Sequence, residues 1–294
     1  PEIASRQHVA LLSAAVEDAA ARANLSLNDI DGIAVTRGPG LIGSLVVGVA
    51  SAKALAFALR KPLYGINHLH GHIFAAFLDR DGDVPVYPFL TLLVSGGHSQ
   101  LVEVEGPAQM RVIGRTKDDA AGEAFDKTAR VLGLPFPGGP QIDRLARQGD
   151  PNAIAFPRHR GEPGSLDMSF SGIKTAVKYF VQSNAGNGAS KSDIAASFQA
   201  AVVDMLMQRV QEAFERRAYT CVVLSGGVAA NTALQRALRE WGERTNVPIF
   251  IPPPKYCTDN AAMIAAAAAH QRDAVRADPL TLSVDPNLPF DTSE

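Results

Sequence analysis

The sequence predicts an α/β protein, on three observations. Short apolar runs bounded by glycine or proline, at Gly32-Ile33-Ala34-Val35, Phe89 to Val94 and Cys221 to Leu224, read as buried strands. Segments with apolar residues at helical spacing alternate with them, as layered α/β folds require. The chain is also long and apolar enough, at 294 residues and 46% hydrophobic, to bury a core split between two lobes. The same composition, with 20% charged residues, excludes a disordered tail, a collagen-like chain and a small disulfide scaffold. Two distant cysteines, Cys221 and Cys257, give no framework of bridges, so a reducing, cytoplasmic setting is the expectation. A net charge of −2 provides no basic excess for gripping nucleic acid alone, and any such contact must be local or shared with a partner.

Taken in order, Ile3, Val9, Leu12, Val16 and Ala20 fall on one helical stripe over residues 3–23. Pro1-Glu2-Ile3 leads straight into this charged stretch, so no secretory leader is expected. After the 32–35 strand, Leu41 to Leu59 forms an apolar run close to membrane-spanning length. Lys53 and two glycines interrupt it, so a buried helix is the better reading. A strand near 62–66 and a helix over 67–78 follow. The texture changes at Pro85 to Pro88, which suggests an N-terminal lobe of 1–87, completed by 276–294, and a C-terminal lobe of 88–275. In that second lobe the 89–94 strand ends in Ser95-Gly96-Gly97-His98, and Gln100 to Val104 returns as a hairpin. Helical patterns occupy 118–132, 141–147, 172–181 and 191–217, with a Gly/Asn-rich loop at 184–189. The strand at 221–224 delivers a second Ser-Gly-Gly turn at Ser225 and is followed by a helix to about 244. A strand stopped by Pro252-Pro253-Pro254 and an alanine-rich helix from Asp259 to about 276 complete the reading.

His68 and His72 in Asn67-His68-Leu69-His70-Gly71-His72 lie at i and i+4 on one helix face, close enough to share a metal, although such pairs also arise by chance. A zinc protease needs glutamate directly after the first histidine, where this chain has Leu69. His70 points elsewhere and reads as a neighbour. Asp259, in Cys257-Thr258-Asp259-Asn260, is the candidate third ligand, or else a helix cap. Two histidines and one carboxylate suit iron or zinc with open coordination positions. The two Ser-Gly-Gly turns can be ordinary turns. As a pair ending buried strands, they favour a phosphate- and nucleoside-binding cleft of bare backbone N–H groups. No P-loop or Rossmann fingerprint is present. Asp119, Glu123 and Asp126 form an acidic stripe that calls for a ligand or cation, unless it is simply a solvated face. Pro137-Gly138-Gly139-Pro140, with Asp143 one turn after Gly139, offers open backbone and a carboxylate suited to ribose hydroxyls.

These residues together resemble the bacterial TsaD family, the tRNA N6-adenosine threonylcarbamoyltransferases formerly called O-sialoglycoprotein endopeptidases. The matching stretches run from Pro1-to-His8 and Gly38-Pro39-Gly40 through the histidine pair, Leu93-to-His98, Asp118-to-Lys127 and Pro137-to-Pro140. They continue through Phe170-to-Thr175 and Ser225-to-Asn231 to Cys257-to-Asn260. The resemblance implies a two-lobed actin/hexokinase/Hsp70-like (ASKHA) fold. Family members normally open with a strand carrying Gly-Ile-Glu-Thr-Ser-Cys-Asp-Glu, which has no counterpart here, so the expectation is a fold lacking its N-terminal strands.

The resemblance further implies transfer of threonylcarbamoyl from threonylcarbamoyl-AMP to N6 of the adenosine 3′ of the anticodon. It implies one iron or zinc ion on His68, His72 and Asp259. Substrate contacts carry over to Leu93, Val94, Ser95, Gly96, Gly97, Asp126, Gly139, Asp143 and Asn231. Asp119 and Glu123 are the candidates for a general base. The implied partners are tRNA, the paralogous subunit TsaB and the ATPase TsaE, with no membrane. The helix over 1–23 is a candidate contact for a partner, and Arg158-His159-Arg160 and Arg216-Arg217 are the conspicuous basic clusters. Two competing functions remain: a non-catalytic scaffold subunit of the same assembly, which would lack the metal residues retained here, and the older metalloprotease, which Leu69 disfavours. His70 stands where relatives often have an acid.

Overall fold

The computed structural model describes residues 2–159, 161–162, 164–183, 188–278 and 280–291. It is a mixed α/β structure with two sheets. Residues 1–78 and 259–294 form one compact unit, and residues 79–258 form the other. The division therefore falls at 78/79 and 258/259 rather than at 87/88 and 275/276, and the alanine-rich helix belongs to the first unit.

In the first unit, α1 (Glu2–Arg22) and α2 (Ile42–Leu59) flank β1 (Ile33–Gly38) in sequence, and β2 (Leu63–Asn67) runs directly into α3 (His68–Phe74). β1 and β2 pair in parallel, and the two-residue β8 (Arg276–Ala277) adds antiparallel to β2 after α10 (Ala261–Val275). α2 departs from its expectation. It buries only Leu45, Val49, Ala52 and Ala56, the last three against Leu63 and Leu282, while Ile42, Val46, Ala50, Ala54 and Phe57 form an exposed apolar stripe. Among the described residues it is the one helix long and apolar enough to cross a membrane. On α1, Leu12, Val16 and Ala20 are half-buried, whereas Val9, expected on the same stripe, is exposed. Pro1 lies outside the described residues.

In the second unit, β3 (Phe89–Val94), β4 (Ser99–Gly106) and β5 (Gln109–Arg115) form an antiparallel meander. β5 carries Arg111, Arg115 and exposed Gln109 and gives little apolar periodicity to read from sequence. β6 (Val222–Ser225) pairs in parallel with β3, and β7 (Ile249–Phe250) with β6. α4 (Ala121–Val131), α5 (Gly138–Ala146), α6 (Ser171–Ser183), α7 (Lys191–Arg216) and α8 (Thr232–Thr245) supply the remaining layers, and α9 (Pro254–Cys257) is a single turn. The core joins β3, Leu101, Val222 and Leu224 to α4, α5 and the long α7, with Phe125 edge-on to Phe198 at 5.2 Å. The glycine-rich loop expected at 184–189 lies largely outside the described residues.

Candidate metal centre and nucleoside cradle

α3 begins at the residue where β2 ends. Asn67 caps it by accepting from the Leu69 amide at 2.9 Å, so His68 and His72 emerge one turn apart on one face. Their rings meet edge-on with centroids 4.8 Å apart. The Asp259 carboxylate lies 3.4 Å from His68 Nε2 and 3.2 Å from His72 Nε2, and the donor atoms of all three lie within 4.8 Å of one another. Asp259 is free for this because Asn260, not Asp259, caps α10, accepting from the Met263 amide at 2.8 Å. The alternative of a simple helix cap is thereby removed. Hydrogen bonding to His68 and then His72 outweighs burial and holds the Asp259 carboxyl well below the usual carboxylate range.

This donor set fits one divalent ion. Ligand atoms about 2.0–2.2 Å from a common ion are separated by roughly 3.0–3.5 Å, the spacing observed between the carboxylate and each imidazole. Among the described residues no lysine or arginine pairs with Asp259 to compete for it. The His72 Nδ1 is buried without a partner and lacks the outer hydrogen bond usual for a metal histidine. His70 takes no part in the donor set. Its Nδ1 lies 3.3 Å from Gln271 Nε2 and its Nε2 donates to the Phe290 carbonyl at 3.0 Å, while burial lowers its pKa.

The second unit gathers the other residues singled out from sequence. Register pairing sets Leu93 beside Ser225, so both Ser-Gly-Gly turns leave adjacent parallel strands. Gly226, at φ +88°, passes so close that a Cβ would lie 2.4 Å from the Val94 carbonyl oxygen, and only glycine fits there. Leu93 and Val94 are fully buried, so only their backbone can meet a substrate, whereas Gly96, Gly97 and Gly227 border open space. The start of α4 rests on the first turn, with Gly122 N donating to Ser95 O at 3.2 Å and Ala121 N to Ser99 Oγ at 2.9 Å.

Asp126 on α4 accepts from the Gly138 amide at 2.7 Å and so holds the start of α5, where Gly139 faces open space. One turn on, Asp143 accepts from Thr232 Oγ1 at 2.8 Å and from Arg147 at 2.9 Å. Neighbouring Asn231 caps α8 through the Leu234 amide and donates to Gln199 at 2.7 Å. Contacts thus link the two turns, Thr232 with Asp143 on α5, and Gly138 at the start of α5 with Asp126 on α4, whose start rests on Ser95.

Asp119 and Glu123 do not stand as free bases. Asp119 precedes α4 and is gripped by Lys127 at 2.8 Å and Lys174 at 2.6 Å, and Lys127 also bridges Glu123 at 2.8 Å. Burial raises the Asp119 pKa, but the two ammonium partners outweigh it and the net shift is downward, the wrong direction for a proton acceptor. For Asp119 and Glu123 the cations that the acidic stripe calls for are thus lysines, while Asp126 is answered by the Gly138 amide. Asp118 accepts from Ser169, Phe170 and Ser171, which fastens the start of α6. The basic clusters are largely spent: Arg158 pairs with Asp204, Arg217 with Glu103 and Glu105, and Arg216 donates to the Gly164 carbonyl. Arg160 lies outside the described residues. Lys127, four residues after Glu123, was readable from helical spacing, whereas Lys174, Gln271 and Phe290 carried no local signal that sequence reading could find.

The family model described as TsaD, tRNA N6-adenosine threonylcarbamoyltransferase, matches residues 1–266. The chain belongs to the TsaD family. A curated TsaD relative from Moorella thermoacetica, named tRNA N6-adenosine threonylcarbamoyltransferase, is 51% identical over 99% of this chain and 85% of its own length. One of the same name from Symbiobacterium thermophilum is 50% identical over 98% of this chain and 84% of its own length. As a TsaD member the chain is a transferase acting in tRNA modification. Among solved structures, full-length HypF aligns with a TM-score of 0.61 at 15% identity, covering 84% of this chain and 40% of that one. HypF from T. kodakarensis aligns at 0.58 with 16% identity, over 84% of this chain and 40% of its own. Those likenesses speak to the fold alone.

Proposed function

We propose that this TsaD-family chain transfers threonylcarbamoyl from threonylcarbamoyl-AMP to N6 of the adenosine 3′ of the anticodon, in tRNAs reading codons that begin with A. The observation that carries the reading is the meeting of His68, His72 and Asp259 with no competing cation among the described residues. We assign the metal, iron or zinc, to these three residues. When bound, such an ion supplies Lewis-acid polarisation and a template for an oxygen-rich donor.

The protein's own residues account for the remaining chemistry. In the transfer, N6 forms a bond to the carbamoyl carbon, the bond from that carbon to the phosphate oxygen breaks, and AMP departs with the electron pair as N6 loses a proton. Backbone N–H groups of Gly96 and Gly97, and of Gly227 in the turn after Ser225, border open space and suit the charge gathering on the leaving phosphate, while the Ser95 N–H closes its own turn on the His98 carbonyl at 2.7 Å. Gly139, Asp143 and Asn231 line the nucleoside end of the cradle, with Asp126 setting the α5 start. Asp119 and Glu123 are ion-paired with lysines, which argues against either as the base. Holding two large substrates in line supplies much of the acceleration.

The ASKHA fold, a cytoplasmic setting and work alongside TsaB and TsaE belong to the same reading. A net charge of −2 and ion-paired arginine clusters support a shared tRNA surface. The test is transfer of labelled threonylcarbamoyl from its adenylate to tRNA, with metal and the two partner proteins present. Label appearing in t6A supports the assignment. Its absence, with a relative from the same family active in parallel, rejects it.

A further inference from the structure

α3 carries both imidazoles of the donor set but is only seven residues long, too short to hold its own direction in water. Something else must aim it. One flank is α10, where Gly71 packs so closely that a Cβ would sit 2.7 Å from Ile264 Cδ1. The other is a strap at 285–290, turned at 286–287 where Leu288 N donates to Asp285 O at 3.2 Å, beyond the residues that the family model matches. The strap is bonded along its length: Asp285 N donates to Arg37 O at 2.9 Å and Gly40 N to Pro286 O at 3.1 Å. It then meets α3 at the two positions that bracket His68. Asn67, while capping the helix through its oxygen, donates Nδ2 to Pro289 O at 2.9 Å. His70 donates Nε2 to Phe290 O at 3.0 Å, is fixed from α10 by Gln271, and packs edge-on to the Phe290 ring at 4.8 Å. Asn67, His70 and Phe290 are all buried, so water cannot replace these bonds.

We propose that Pro289 and Phe290, fastened by Asn67 and His70, act as a positioning strap that aims His68 and His72 and sets the affinity of the metal site. This rests on the reading of the triad as a metal centre. His70 gives the position between the two ligand histidines a mechanical task. It donates to a backbone carbonyl, which a carboxylate at that position could not do.

The experiment titrates the metal-free full chain with Co2+, following its visible absorption, with the melting temperature measured in parallel. Asn67→Ser keeps a capping oxygen but is too short to reach Pro289. His70→Leu removes both ring bonds, and His70→Gln keeps a donor. The expected result is Co2+ binding weakened about tenfold in Asn67→Ser and His70→Leu, with a changed absorption band, at temperatures well below melting, and most of the affinity restored in His70→Gln. A purely structural role would lower the melting temperature and leave affinity and band unchanged, and that result in Asn67→Ser overturns the proposal even if His70→Leu does not fold. Failure of the unmodified chain to take up Co2+ overturns the metal reading itself, and the strap's role with it.

Discussion

Two clusters in this molecule each place carboxylates beside helix termini, and they end in opposite chemistry. At the start of α10, one aspartate faces two imidazoles and, among the described residues, no ammonium group. At the start of α4, Asp118, Asp119 and Glu123 are answered by hydroxyls, backbone amides and the two lysines Lys127 and Lys174. The sequence makes the second cluster look the more reactive, since it packs four acids into nine residues, from Asp118 to Asp126. The difference teaches that partners, not the number of acids, decide function. A carboxylate matched by lysine is a fastening, and one matched by imidazoles is a ligand set.

The sharpest way to break the contrast is to exchange the outcomes of mutation. Removing the ligands in His68→Ala/His72→Ala is expected to bring metal content to background and abolish transfer, with little change in melting temperature of the metal-free protein. Full metal retention by that variant, measured by elemental analysis, would erase the distinction.

In the α4 cluster the expected loss is stability. Asp119→Asn leaves two lysines facing a neutral amide in a mostly buried setting and should cost about 1–3 kcal/mol, read from the denaturant midpoint. Metal content should stay at the wild-type level.

The acid limb sharpens the comparison further. Asp118 and Asp119 have pKa values below the ordinary 3.8, burial being outweighed by their hydrogen bonds. A lowered folded-state value means the stability they add is fully present above that ordinary value and is lost as pH falls through the lower one. Unfolding followed from pH 5 down to pH 2 should show this loss, and Asp118→Asn should flatten it. The smallest effect belongs to Glu123→Gln, an exposed partner of Lys127, where less than about 1 kcal/mol is expected. A larger cost there would mean that Glu123 does more than share a lysine.

The sites differ in how far they could be read from sequence. The i, i+4 spacing of His68 and His72 fixes their common face as soon as residues 68–74 are helical, because it is a local property of the backbone. The strands at 89–94 and 222–225, with their glycine exits, were equally legible from apolar runs and turn residues. By contrast, β5 alternates too weakly to be recognised, and it exists because β4 offers it an edge. Apolar composition alone reads α2 as buried, yet burial depends on what packs against a helix, and Ile42, Val46 and Phe57 stay exposed.

What the sequence determined alone was therefore local: periodicity, caps and turns, together with the residue types that make a metal or phosphate site chemically feasible. Tertiary structure decided every pairing between distant residues. It brought Asp259 to within 3.2 Å of His72, gave Asn260 the cap that would otherwise have occupied Asp259, and spent Asp119 on Lys174. It also laid Phe290 against His70. The physical reason is range. Helix and turn preferences act over a few residues, whereas a carboxylate's role is set by whichever charges and hydrogen-bond donors come within a few ångströms, wherever they lie in the chain.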